Sequence, residues 1–410
     1  MQLREAISAR PELRRVFDAV TEAGEGWDGV YLVGGAVRDL LLDRPGFDVD
    51  IAVEGDGIAF ARALADALGG EVLEHGKFGT AVVSYEGGRV DVATARTEHY
   101  EAPAVLPVVE HASLEEDLVR RDFTVNAMAM SLQDEDFGRL VDPFDGRADL
   151  DAATIRVLHD RSLVDDPTRI FRAVRYECRF SFRMDEHTEQ LARESIETSH
   201  VGDLSGPRVR DELQLVFEEN DGRALERMGE LGLARAIHAG LAADEEAAQL
   251  FDRLRTLETR YRVEPPLWRL GLAVLARNLS REGLREWLDQ LKLRRTDTQH
   301  VSRGVADFHR IADLPAQAPP AEVFAVADPS APDGPLLALA LADTAPLHEY
   351  FRRLRDVRLD IGGHDLAELG LQESPRVGEI LAELKRRKLN GELDGRESEL
   401  AAARELIAEP

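Results

Sequence analysis

The stretch LVGGAVRDLLLDRPGFDVDIAV, Leu32 to Val53, decides how this chain folds and what chemistry it can carry. It begins inside the β-like run VYLV (Val30 to Val33), turns at Gly34 and Gly35, and enters the amphipathic run Ala36 to Leu42. A glycine pair between strand and helix lets backbone N–H groups approach an anion, and a helix start favours negative charge. Arg38 falls one turn into that helix, where it can meet a phosphate. Alone, such a turn is more often just a turn. The next strand, FDVDIAV (Phe47 to Val53), changes the balance. Its period-two alternation puts Asp48 and Asp50 on one face and Val49, Ile51 and Val53 on the other. Neighbouring carboxylates repel, and a hard divalent cation such as Mg²⁺ resolves the repulsion.

Working outward, FGTAVVSYEG (Phe78 to Gly87) and RVDVATA (Arg89 to Ala95) form a hairpin across a glycine turn. Asp91 on its second strand is either a surface residue or a third carboxylate for the same cation, depending on strand register. Further on, LEEDLVRRDFTVNAMAM (Leu114 to Met130) places Arg121 for a triphosphate and Asp122 or Asn126 for a sugar hydroxyl. The same residues also suit a charged helix entrance. In DDPTRIFRAVRYECRFSFR (Asp165 to Arg183), Pro167 suits a first helical turn. Arg169, Arg172, Arg175, Arg179 and Arg183 step by 3, 3, 4 and 4 residues. At ~100° per residue they share a stripe about 120° wide. Such a stripe repels itself unless an anion faces it, so a phosphate-binding face is expected.

The chain has 410 residues, 44% apolar and 31% charged, which is globular composition and long enough for several lobes. No apolar run approaches the ~18 residues of a membrane span. The lone Cys178 excludes an internal disulfide and a Cys-rich zinc site. A soluble cytoplasmic protein is expected. Strand signals fade after about residue 150; Leu163 to Phe182, Arg208 to Phe217, Ala224 to Leu231 and Glu245 to Tyr261 carry helical spacing, while proline-rich residues 313–335 look like a loop. The expected fold is α+β, an N-terminal α/β head on an all-α remainder. The formal charge is −27, so a simple nucleic-acid binder with a basic surface is excluded. Any RNA contact must use local basic groups, with Lys385, Arg386, Arg387 and Lys388 as candidates.

LVGGAVRDLLL…DVDIAV, RRDFTVNAMAM, LVDPFDGRADL, DDPTRIFRAVRYECRFSF and GPRVRDEL occur in one order between residues 30 and 217. In order and spacing they resemble the class II tRNA nucleotidyltransferases, bacterial CCA-adding enzymes and poly(A) polymerases of the DNA polymerase β superfamily. The stretch Ile361 to Leu393 also looks like that family's tail region. The resemblance implies a nucleotidyltransferase head (1–150), a helical neck with the base-reading helix (151–240), a body (241–335) and a tRNA-binding tail (336–410). It implies that Asp48 and Asp50 hold the metals, Mg²⁺ being the expected cofactor. Gly34, Gly35, Arg38, Arg121, Arg172 and Arg175 would hold the nucleotide, and Asp166 and Arg169 would face its base. The family usually has Glu-Asp where this chain has Asp165-Asp166. The implied partners are tRNA, ATP and CTP, with no membrane and no obligate protein partner. Complete CCA addition leads, ahead of A-only addition, CC-only addition and poly(A) synthesis. A catalytically dead RNA-binding protein on the same scaffold is the reading from another class.

Only four of the 51 basic residues are lysines, which fits either a salt-rich cytoplasm or a GC-rich genome. An excess of negative charge repels itself, and salt relieves this as the Debye length shrinks to about 3 Å at 1 M. A melting series from about 0.1 M to about 3 M KCl separates the two. Salt adaptation predicts a melting temperature that climbs with KCl, and a level or falling series excludes it.

Overall fold

The computed structural model describes residues 11–23, 27, 29–45, 48–76, 79–99, 108–219 and 221–408. Phe47 and Phe78, expected to open two strands, lie outside them. The chain divides into two compact units, Met1–Leu204 and Ser205–Pro410, a boundary that falls inside the stretch expected as the neck.

The first unit is built on a seven-stranded mixed sheet in the order β3-β4-β5-β2-β1-β8-β9. Its strands are Gly29–Val33 (β1), Val49–Glu54 (β2), Glu71–His75 (β3), Thr80–Tyr85 (β4), Gly88–Thr94 (β5), Ala129–Ser131 (β8) and Leu140–Val141 (β9). Arg96–His99 (β6) and Val108–His111 (β7) form a separate antiparallel pair. The β4–β5 hairpin is present as the glycine turn implies. Helix Gly57–Leu68 buries Phe60, Ala61, Leu64, Ala65 and Leu68, an apolar stripe at helical spacing, and starts on the Asp56 side chain. Val49, Ile51 and Val53 are buried as the alternation requires. On the opposite face of β2, Ala52 packs with Tyr31, Val33, Leu114 and Leu118. Asp50 shares that face by its spacing. Helix Leu114–Val119 therefore covers the carboxylate side of the strand and delivers the following arginines to it.

The stretch Asp165 to Arg183, expected as one long helix, is divided. Asp166 is extended (φ −135°, ψ 92°), because the residue before a proline is pushed out of the helical region. A short helix, Ser162–Asp165, precedes the main one, Thr168–Phe180. Left-handed Ser181 ends that helix, so Arg183 lies beyond it, on a short strand paired with Thr154–Ile155.

The second unit is helical. The expected loop at 313–335 instead contains helix Pro320–Ala327 and the start of helix Asp333–Leu341. Prolines sit in the first turns, where no backbone donor is lost, so they start these helices instead of breaking them. Leu336 to Ala340 are all buried, which removes the amphipathic period that marks a surface helix. Ile361, Leu366, Ile380, Leu384, Ala402 and Ala403 form the core of the C-terminal helices. Among the described residues, no helix is long and apolar enough to cross a membrane.

One ion pair anchors the centre of this unit. Arg269 donates through Nε and Nη2 to Asp333, at 2.6 and 2.9 Å, and Asp333 is fully buried. Removing one partner strands a charge away from water, so Arg269→Met should destabilise the protein by about 3–5 kcal/mol in urea unfolding. Adding Asp333→Leu should recover most of that loss. A single variant as stable as the parent would show that the pair contributes nothing.

Candidate functional site

Three pieces of the first unit meet at the end of β1. Gly34 turns the chain with φ 67° and ψ −128°, a conformation that side chains resist, and its N–H donates to the Met128 carbonyl at 3.1 Å. A Cβ on residue 34 would stand 2.6 Å from Nη1 of Arg121. Residue 34 is therefore glycine for its backbone, and a side chain there would displace this guanidinium. Arg121 is aimed by Asp117, which accepts from its Nη2 at 2.8 Å and from Arg120 Nη2 at 2.6 Å. Burial opposes ionisation of Asp117, but these two arginines hold its carboxyl below the ordinary value. Nε of Arg121 is buried and has no hydrogen-bond partner, an orphan donor beside the glycine turn.

The second piece is the carboxylate pair. Strands β2 and β5 run parallel with Asp50 opposite Asp91, which settles the register left open by the sequence. Burial first, then the charge of Asp91, and more weakly that of Asp48, push the Asp50 carboxyl up to about 6 against the pull of Arg121. Asp48 is exposed just before β2, and Asp91 pairs with Arg89 at 3.1 Å. Among the described residues no three acidic or imidazole groups close into a ready-made metal cage. The donor set still suits a hard divalent cation: oxygen ligands under mutual repulsion.

The third piece is a buried side-chain chain. Arg38 is only 4% exposed; it donates to Asp39 at 2.8 Å and to Oδ1 of Asn126 at 2.6 Å, and its face lies 4.4 Å from the Phe180 ring centre. The Asn126 amide donates to Asp122 at 2.9 Å, and Asp122 accepts from Nε of Arg172 at 2.7 Å. Burial would raise the Asp122 carboxyl, but Arg172, Asn126 and Arg169 together hold it near 2. The expected arginine stripe is thus modified. Arg183 is off the helix, Arg172 has an acid facing it, and Arg169 and Arg175 are buried.

Asp166 and Arg169 flank the start of helix Thr168–Phe180. Asp166 accepts from the Thr168 hydroxyl at 2.6 Å and its N–H at 3.1 Å. Arg169 is clamped by Ser162 Oγ at 2.5 Å and the Arg120 carbonyl at 2.6 Å, which ties it to the segment carrying Arg121. Asp165 pairs outward with Arg161 at 2.8 Å. Sequence reasoning missed Asp117 and Ser162. Asp117 was visible in principle, three and four residues before two arginines on one helix face; Ser162 had no local signal.

The tail cations lie in the second unit and have partners there. Arg386 and Arg387 share Glu383 at 2.7 and 2.9 Å, drawing its carboxyl down to about 2. Lys388 bonds Asp360 and the buried Glu399, both at 2.6 Å, and Lys385 sits 4.0 Å over the Phe324 ring.

The chain is similar to known proteins. Residues 30–156 match the Poly A polymerase head domain. The A-adding tRNA nucleotidyltransferase of Geobacter sulfurreducens is 36% identical over 91% of this chain, which spans 44% of that protein's length. The A-adding tRNA nucleotidyltransferase of Halalkalibacterium halodurans is 31% identical over 92% of this chain and 88% of its own. The Thermotoga maritima CCA-adding enzyme complexed with tRNA superposes with a TM-score of 0.83 at 29% identity, covering 100% of this chain and 98% of that one.

The raised Asp50 carboxyl has a measurable signature. Without metal, the folded state holds this proton more tightly than the unfolded chain, whose value is near 3.8. Its contribution to stability is full below that value and lost as pH rises through about 6. Asp50→Asn should melt within error of the parent at pH values below 3.8 and a few degrees higher near neutrality in chelator. A difference independent of pH would mean that Asp50 is not under this repulsion.

Proposed function

The chain belongs to the tRNA nucleotidyltransferases, and from that premise we propose that it adds C and A to the 3′ end of tRNA from CTP and ATP, without a nucleic-acid template. The observation that carries this reading is the meeting of Asp50 and Asp91 with Arg121 at the Gly34 turn. The RNA 3′-hydroxyl attacks the α-phosphorus in line; a P–O bond forms there, the bond to pyrophosphate breaks, and the hydroxyl proton passes to solvent. Asp48 and Asp50 would hold Mg²⁺, with Asp91 adding its charge from the next strand. When bound, such ions lower the pKa of the attacking hydroxyl and neutralise charge on the leaving oxygens.

The protein's own residues supply position. Arg121 turns its unsatisfied Nε to the triphosphate, its other end fixed by Asp117. Arg38 and Arg172, joined through Asn126 and Asp122, are held in fixed positions beside it. Base choice rests on hydrogen-bond polarity. The Asp166 carboxylate accepts from the exocyclic amino group of cytosine or adenine, and Arg169 donates to the adjacent ring nitrogen. Uracil and guanine would turn a carbonyl toward Asp166, leaving a charge unpaired at a cost of about 1–3 kcal/mol. Ser162 and the Arg120 carbonyl keep Arg169 aimed. We place the protein in the cytoplasm with its tRNA substrate.

A second reading, addition of the terminal A alone, is favoured by the names of the Geobacter and Halalkalibacterium relatives. Incubation with CTP, ATP and tRNAs ending before the first C, after one C and after both separates the two. The first reading predicts that all three reach CCA. Extension of the last alone selects A addition, and extension of none overturns both. Asp48→Ala and Asp50→Ala should each reduce addition by at least about a thousandfold while tRNA binding stays within a few-fold.

A further inference from the structure

In the second unit, the helices Arg281–Gln290 and Arg295–Ala312 line a cavity of about 640 Å³. Leu284 is buried in its wall and Val305 nearly so, while Arg281, Arg285 and Arg303 stand at its exposed edge. Other arginines of this unit are held by acids. Arg277, for example, pairs with Asp244 and Glu246, at 2.7 and 3.2 Å. Among the described residues, Arg281 and Arg285 make no hydrogen bond or ion pair, and Arg303 reaches a backbone carbonyl, that of Pro329, at 3.5 Å. Two acids also line the cavity. Asp307 is engaged by Arg310 at 3.1 Å, which leaves Glu282 against three guanidiniums.

This arrangement is unfavourable without a ligand. Arg281 and Arg285 lie one turn apart, a spacing at which like charges destabilise a helix. Arg281 also occupies the first helical position, where the dipole opposes a cation. An anion would relieve both, and Arg recognises phosphate oxygens in pairs. The floor adds a second requirement. Leu279 is half-buried and Ala306 exposed in the lining, and a bare phosphodiester backbone would leave them wet, whereas a flat ring attached to a phosphate would cover them. The volume lies inside the range of roughly 300–1,000 Å³ common for small-molecule sites.

We propose that this cavity is a second ligand site, taking a free organophosphate with a flat, largely apolar body, of the size of a nucleoside monophosphate. The phosphate lies between Arg281, Arg285 and Arg303, the ring lies on Leu279 and Ala306, and the Ser302 hydroxyl lines the same cavity. The proposal does not depend on the nucleotidyl-transfer reading.

Calorimetric titration of the full chain with AMP, in chelator, tests it. The expected results are submillimolar binding that weakens at least about tenfold in Arg285→Gln/Arg303→Gln and persists in Arg121→Ala. Adenosine and inorganic phosphate, titrated separately, should each bind at least about tenfold more weakly. Nucleotide addition by the double variant should stay within about twofold of the parent. The idea is overturned if AMP binding is unchanged in the double variant, or is lost in Arg121→Ala instead. It is also overturned if the double variant keeps AMP but loses tRNA affinity and salt dependence, which would make these arginines an RNA-phosphate surface.

Discussion

Arg121 lies against the turn after β1 in space that residue 34, lacking a side chain, leaves open. A methyl group there would meet the guanidinium at 2.6 Å, well inside contact distance. Much of the site depends on this close approach. It sets Arg121 near enough to Asp50 to oppose the upward push that burial and Asp91 exert on that carboxyl. The carbonyl of the neighbouring Arg120 in turn accepts from Arg169 of helix Thr168–Phe180. A glycine whose sequence meaning was backbone freedom thus does a second task, making room for a charge.

The acidic composition becomes intelligible once the arginines are followed to their partners. Asp117, Asp122 and Asp333 are buried carboxylates, each holding one or two guanidiniums in a fixed orientation. Pairs of this kind add little net stability, because desolvation offsets most of the attraction, but they define geometry tightly. Asp122 shows the consequence for pH. Held near 2, it stays ionised through the working range, so the link from Arg38 to Arg172 is lost only in strong acid. Arginine suits this use better than lysine, since its planar fork fixes direction as well as charge.

Much of this was legible in the sequence because it is local. The strand–glycine–helix turn, the alternation around Asp48 and Asp50 and the β4–β5 hairpin each depend on residues within a few positions. What escaped was non-local or lacked a period. The register opposing Asp50 and Asp91 is a tertiary fact. The acid that faces Arg172 lies fifty residues earlier, so the stripe looked unpaired when read along one helix. Pro167 opens its helix as its residue type implies, but its effect on Asp166 also separates the short helix before it. The helix Asp333–Leu341 was hidden because a helix buried on every side has no amphipathic pattern to read.

The most direct measurement is a crystal structure of the protein soaked with Mn²⁺ and a non-hydrolysable CTP analogue, using anomalous scattering to place the metal. The account predicts an anomalous peak between the carboxylates of Asp48 and Asp50, with a triphosphate oxygen within hydrogen-bonding distance of Arg121 Nε. The cytosine should face Asp166 and Arg169. A metal bound away from these aspartates, or a triphosphate that leaves Arg121 Nε without a partner, would contradict it.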